Sequence, residues 1–289
     1  ADDLYGGDAD GDGRTDAQEY ADGTDPIDPG STLGLTGYYP LDGNANDGTD
    51  NGRDGTANGG GPTYVSGLSG QAASFDGFND YISISDTDGV RFTGSFTVSL
   101  WCQVGSNENF PRMLLWFGDT TDFCPGLNIA KNRVSDPSYP GGLVGTHFNQ
   151  SPPPDMAGTL DDGTELAQDT WLHLTLVVDS AGNSLSCYLN GVSQGSTSTT
   201  VRDFSVPTSF NFLIGAATGP GGTGGFYNRP IDEVRLYDRA LPVQEIIRLG
   251  DTDGDTLPDW WELTYWPSLT HSGSDDLDDD GVDNAAEYA

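Results

Sequence analysis

Three short stretches of this chain carry oxygen donors at one fixed spacing. A twelve-residue calcium loop presents oxygens at positions 1, 3, 5, 7, 9 and 12, the seventh through a main-chain carbonyl, and turns on glycine at position 6. "DADGDGRTDAQE" supplies Asp8, Asp10, Asp12, the carbonyl of Arg14, Asp16 and Glu19, with Gly13 at the turn. "DLDDDGVDNAAE" supplies Asp276, Asp278, Asp280, the carbonyl of Val282, Asn284 and Glu287, with Gly281 at the turn. "DTDGDTLPDWWE" supplies Asp251, Asp253, Asp255, the carbonyl of Leu257, Asp259 and Glu262, but has Thr256 at position 6. A β-branched residue there resists left-handed backbone. Solvated acidic turns are common in an Asp-rich chain, yet they do not explain one register closing on Glu three times. The pattern predicts two to four bound Ca2+ ions, counting a further site described below.

The elements around these loops are short. "LYGG" precedes the first loop and "RLG" the second, so no helix leads into either. Position 8 holds Thr15, Pro258 and Asp283 rather than the apolar residue that paired calcium loops use. A loop with a short exit helix, followed by "GTDPIDP", resembles the thrombospondin type 3-like repeats of bacterial surface proteins; dockerin loops are a weaker likeness. The resemblance covers roughly residues 1–30 and 250–289. "DDL" stands at 2–4 and again at 275–277, and both runs end in Glu-Tyr-Ala, at Glu19 and Glu287. The ends read either as one period of a tandem array or as two copies of a common linker.

Composition narrows the functional classes. The 289 residues hold 45 Asp and Glu against 11 Lys and Arg, a formal charge of −34. Nucleic acid and anionic membrane surfaces both need a basic face, so neither is an expected partner. No apolar run reaches membrane-spanning length. The chain opens "ADDLYGG" without Met and reads as a processed or excised portion. Cys102, Cys124 and Cys187 allow at most one disulfide, and the apolar alternation around Cys102 and Cys187 predicts buried free thiols.

Between the acidic ends, 41 Gly and 17 Pro accompany short β runs broken by Gly, Asn and Asp. "SFTVSLW" sets Phe96, Val98 and Leu100 against Thr97, Ser99 and Trp101. "WLHLTLVVD" sets Leu172, Leu174, Leu176 and Val178 on one face, and "SAGN" turns into "SLSCYLNG". "PVQEIIRL" is a helical piece. "GYYPLDGNANDGTDNGRDGT", "GQAASFDGFNDYISI", "SFTVSLW", "WLHLTLVVDSAGNSLSCYLNG" and "IDEVRLYDRALPVQEI" come in the order seen in laminin-G-like domains of the concanavalin A-like lectin and glucanase superfamily. The resemblance spans about residues 34–249. It implies an all-β, two-sheet antiparallel jelly roll over 31–249, with calcium-loop arms at 1–30 and 250–289. It also implies that the first and last strands are neighbours, and that Asp42 and Asp232 either share a further ion or cap turns.

Catalysis finds little support in the residues. Glycosidases need two carboxylates flanking a cleft, and no Glu-x-Asp-x-x-Glu strand occurs. His147, His173 and His271 have no Cys or His at ligand spacing; His173 alternates with core residues and reads as structural. No catalytic residue is assigned. For glycan, Trp116, Phe123, Tyr139 and Phe148 are candidate rim platforms, beside the Pro-stiffened segment 149–164. Of the aromatics in "DWWELTYW", Trp261 and Tyr265 are expected to pack on their own domain, leaving Trp260 and Trp266 for contact with a neighbouring module. Two functions follow. One is a non-catalytic, calcium-stabilised adhesion or fibre module of a long extracellular protein, bacterial by resemblance, with neighbouring copies or modules as partners. The other is a carbohydrate-binding module of a secreted polysaccharide-degrading enzyme.

Overall fold

The computed structural model describes residues 34–49, 51–84, 94–105, 112–118, 126–131, 142–148, 155–160, 169–182, 184–198, 211–219, 221–251, 257–266, 269, 271–277 and 281–288. Two antiparallel sheets form the sandwich that the alternation predicts. The first runs in the order β13 (Val192–Ser198), β12 (Ser184–Leu189), β11 (Trp171–Asp179), β6 (Phe96–Gln103), β17 (Pro230–Tyr237), β4 (Gln71–Ser74) and β3 (Thr63–Ser66), and β1 (Leu35–Tyr39) also pairs with β17. The second runs β10 (Asp155–Leu160), β9 (Gly142–Phe148), β8 (Gly126–Lys131), β7 (Arg112–Gly118), β14 (Asn211–Ile214), β5 (Tyr81–Ile84) and β2 (Thr56–Asn58). A small ribbon joins β15 (Ala217–Gly219) to β16 (Gly222–Gly224). The helices are α1 (Val243–Arg248), α2 (Asp259–Tyr265) and α3 (Asn284–Tyr288).

Alternation fills the space between the sheets. Phe96, Val98, Leu100 and Cys102 of β6 join Leu172, Leu174, Leu176 and Val178 of β11 against Ile82, Ile84, Leu114, Phe212 and Ile214 of the second sheet. Cys102 and Cys187 are free and buried, and burial pushes both thiols up to about 12, which leaves them inert. Cys124 lies outside the described residues.

The other face of β6 and β11 is buried as well: Thr97, Ser99, Trp101, His173 and Thr175 are all covered. The covering comes from the chain that follows β17. Leu241 and Ile246, around α1, pack on Val177 and Tyr237, and the Arg239 guanidinium pairs with the Glu245 carboxylate to hold the helix. Further along, α2 lies against β11, and Gly250 sits so close to His173 that an added Cβ would be 3.4 Å from its Nδ1. Several of the polar groups beneath are satisfied locally, while Trp101 Nε1 and His173 Nδ1 have no hydrogen-bond partner among the described residues. Thr97 Oγ1 donates to Arg239 O (2.8 Å) and accepts from Leu241 N (3.0 Å), and Ser99 Oγ bonds His173 Nε2 at 2.7 Å. Burial, aided by Arg235, lowers the His173 pKa to about 3, so the ring is neutral and structural.

One departure from expectation concerns 149–164, expected as one loop. Residues 155–160 form β10 and pair with β9. Pro cannot donate to a ladder, so the strand starts only after Pro154.

Candidate calcium and glycan sites

The pairing of β1 with β17 places Asp42 and Asp232, since each lies just beyond or within those strands. Asp42 Oδ1 accepts the Gln71 N–H at 2.5 Å. Asp232 accepts the N–H of Leu68 at 2.9 Å on Oδ2 and that of Glu233 at 3.0 Å on Oδ1. The four-residue turn from Gly67 to Gly70 therefore runs between the two carboxylates. A Cβ at Gly67 would lie 2.5 Å from Asp232 Oδ2, and one at Gly70 2.1 Å from Asp42 Oδ1, so only glycine fits either position. Asp232 is fully buried, and burial reinforced by the neighbouring Glu233 charge raises its pKa to about 8.

Beside this turn, Glu233 adopts left-handed backbone at φ +52°, and Leu41 does so at +60°. The Glu233 carboxylate accepts the Tyr38 hydroxyl and pairs with Arg235 at 2.5 Å, while the guanidinium stacks 4.5 Å from the Tyr38 ring centre. Both carboxylates do cap the turn, as one of the two sequence readings holds. Each carboxylate has about four lone-pair positions, so capping does not use up its capacity as an oxygen donor, the kind that Ca2+ takes. No group of three or more such side chains gathers among the described residues.

At the C-terminal end, Asp253, Asp255, Thr256, Asp278 and Asp280 lie outside the described residues, as does the whole first loop with Asp8, Asp10, Asp12, Arg14, Asp16 and Glu19. The described remainder shows two loops closed in the same way. The position-9 N–H of the second loop, on Asp259, donates to Gly250 O at 2.8 Å; that of the third, on Asn284, donates to Asp275 O at 2.7 Å. Each acceptor is the residue just before position 1. Asp259, Glu262 and Asn284 are wholly buried despite their polarity. Asn284 donates through Nδ2 to Ser272 O at 2.9 Å, and its Oδ1 has no hydrogen-bond partner among the described residues.

In the third loop Gly281 takes φ +93°, the left-handed turn expected of position 6, and its N–H donates to Asp276 Oδ2 at 2.9 Å. The position-8 residues start the exit helices: Pro258 leads into α2, and Asp283 caps α3 by accepting from Ala286 N at 2.9 Å. The shared closure was invisible in the sequence because it uses main-chain atoms.

The aromatic expectation needs correction. Trp260, Trp261 and Trp266 are half-buried in one cluster that joins the two exit helices. Trp261 lies 5.8 Å and Trp260 6.4 Å from Tyr288 of α3, and Trp266 packs on Trp261 (5.4 Å) and His271 (5.2 Å). Trp260 and Trp266 thus have partners within the arm, and Tyr265, expected to be covered, is 64% exposed.

The rim aromatics also move. Trp116 is 1% exposed, buried on β7 opposite Leu213, so its ring is not offered to a sugar. Phe148 is the residue of β9 paired with Asp155; Phe123 and Tyr139 lie outside the described residues. The most exposed large apolar side chain among the described residues is Phe78, at 79%, which sequence reasoning passed over. Its signal was an aromatic at the tip of an Asp-Gly turn.

A family model described as the concanavalin A-like lectin/glucanases superfamily matches residues 75–247, more than half of the chain. The chain belongs to that superfamily. The match stops short of both acidic ends and says nothing of them. No curated protein matches the sequence. Among solved structures, domain 4 of AbnA, a GH43 extracellular arabinanase from Geobacillus stearothermophilus in complex with arabinotriose, is similar at TM-score 0.57 and 24% identity, covering 74% of this chain and 97% of that one. The binding domain of Paraclostridial Mosquitocidal Protein 1 follows at TM-score 0.56 and 16% identity, covering 76% of this chain and 52% of that one. Trypanosoma rangeli sialidase in complex with the inhibitor DANA gives 0.53 and 20%, covering 77% of this chain and 34% of that one. These likenesses confirm the jelly roll. No helix of the described residues is long and apolar enough to cross a membrane.

Proposed function

We propose that the chain is a non-catalytic, calcium-stabilised adhesion module of a secreted or cell-surface protein, and that its jelly roll attaches to glycan. The observation that carries the calcium half is the common closure of the two C-terminal loops, with Asp259, Glu262 and Asn284 turned inward. In this reading Asp251, Asp253, Asp255, the Leu257 carbonyl, Asp259 and Glu262 hold one ion, and Asp276, Asp278, Asp280, the Val282 carbonyl, Asn284 and Glu287 hold another. Bound Ca2+ would supply positive charge against self-repulsion at −34. Asp42 and Asp232 would hold a further ion beside the Gly67–Gly70 turn, at the end of the β1–β17 pair.

The glycan half draws on the superfamily and on the arabinanase domain, a whole sugar-complexed domain that this chain covers almost completely. A glycan array run in calcium and in chelator tests both halves. Binding that survives in calcium and fails in chelator is the expected result; no binding under either condition would sink the attachment reading. The Asp42→Asn, Asp232→Asn double variant should lose part of the calcium-induced rise in melting temperature.

A second reading, a tandem-array or fibre subunit, is favoured by the matching ends "DDL…EYA" at 2–21 and 275–289. Light scattering across a calcium titration tests it. A strictly monomeric profile at high protein concentration would remove it.

A further inference from the structure

We propose that the turn from Asp76 to Asp80, with Tyr81 and Phe226 beside it, is the contact site for a neutral oligosaccharide. The proposal deepens the glycan reading and rests on it.

The turn is built rigidly. Asp76 Oδ1 accepts the N–H groups of Phe78 (2.8 Å), Asn79 (3.1 Å) and Asp80 (3.3 Å). Those bonds, that of Phe78 foremost, hold the Asp76 carboxyl below its usual range and keep it charged. Asn79 Nδ2 anchors the turn to Gly59 O at 2.6 Å. On its other side Gly77 lies against Asn228, where an added Cβ would meet Asn228 Cβ at 2.6 Å. Arg112 Nη1 ties turn and neighbour together by donating to both Gly77 O (3.1 Å) and Phe226 O (2.6 Å). Phe226 in turn packs on Tyr81, with ring centroids 6.3 Å apart. The result is one fully offered ring, Phe78, on a fixed turn that is bolted to a half-buried aromatic pair.

Size and charge choose the occupant. A stable protein partner would cover about 800 Å² on each side, far more than one exposed ring with two half-buried ones. A sugar ring needs one aromatic face for its C–H surface and a few polar groups for its hydroxyls. Charge excludes acidic ligands: the chain carries −34, and the nearby cation, Arg112, is occupied by two carbonyls. Of the two carboxylates, Asp76 faces main-chain N–H groups and Asp80 is 7% exposed, so a neutral, hydroxyl-rich ligand meets no strong field. Ligand binding would not wait on ordering of the turn, because Asp76 has already fixed it.

The test is calorimetric titration of the full chain, in calcium, with arabinotriose and xylotetraose as neutral probes. Sialyllactose and phosphatidylcholine vesicles serve as comparators. Phe78→Ala should keep the wild-type melting temperature, since the ring is exposed, and weaken binding of a neutral probe by about tenfold. Asp76→Ala should weaken it too, by releasing the turn. Neutral-sugar binding by the wild type that Phe78→Ala leaves unchanged would overturn this site while the glycan reading stands. Absence of binding to every neutral probe would overturn both. Vesicle or sialyllactose binding that depends on Phe78 would overturn the neutral-sugar assignment.

Discussion

The indole of Trp101 and the imidazole of His173 lie with ring centroids 5.0 Å apart on the outer face of the eight-stranded sheet, where Gly250 covers the imidazole. Trp101 is fully buried there, and the chain leaving α1 passes over the same face on its way to the second acidic loop. The arm is therefore packed onto the sandwich, with this aromatic pair as part of its seat. Replacing Trp101 with Ala should cost about 3–5 kcal/mol and expose residues 250–266 to protease before the sandwich itself unfolds. Limited proteolysis with mass mapping reads this directly. Cleavage rates equal to wild type in the arm would show that the seat lies elsewhere.

His173 also gives the stability a pH slope. Its neighbours are Ser99, Thr175, Trp101, Gly250 and the charge of Arg235, and burial depresses its pKa from 6.5 to about 3. Between those values the unfolded chain binds a proton that the folded chain refuses, so stability rises with pH. The contribution is complete above about pH 6.5 and is lost as pH falls toward 3. His173→Gln should flatten the urea midpoint across this window. An unaltered slope would assign it to the carboxylates instead.

Gly281 and Thr256 occupy the same loop position in the third and second acidic loops. Gly281 takes φ +93°, so Gly281→Ala should weaken calcium binding by about 1–2 kcal/mol, the cost of left-handed backbone for an L-residue. Thr256→Gly should act in the opposite direction on its own loop, by about 1 kcal/mol less glycine's unfolded-state entropy. Calorimetry on both variants decides it. A Gly281→Ala protein with wild-type affinity would mean that the turn is not set by the ion.

Tyr288 follows Glu287, position 12 of the third loop, and touches Trp260 and Trp261 on the exit helix of the second. Ligation of one loop should therefore favour the other through this contact. Tyr288→Ala is expected to split a single calcium-binding transition into two and to lower the melting temperature by a few degrees, for a loss of about 1 kcal/mol. A single unchanged transition would show that the loops ignore each other.

The sandwich was legible because its signals are local. Phe96, Val98 and Leu100, and Leu172 to Val178, alternate with period two, and the "SAGN" turn sets the β11–β12 register. Cys102 and Cys187 follow the same alternation into the core. The burial of the outer face was not legible because its covering arrives from residues more than sixty positions away, and no pattern within β6 or β11 records it. Phe78 was missed for the opposite reason: its exposure is set by three main-chain bonds to Asp76 rather than by periodicity.

The pairing of β1 with β17 has a mechanical consequence. Gly34 and Asp238 are joined by a main-chain bond of 2.9 Å, so the chain enters and leaves the sandwich at one point. A pull between these two residues would load the rungs from Leu35–Tyr237 to Tyr39–Val234 one after another, the peeling geometry in which a ladder yields at low force. Peeling would then run toward Asp42 and Asp232, at the end of the ladder far from the grip. A cation held there would act as a rivet, and the module would hang beside the line of tension as a tethered pendant whose sheets carry load only after that rivet gives way.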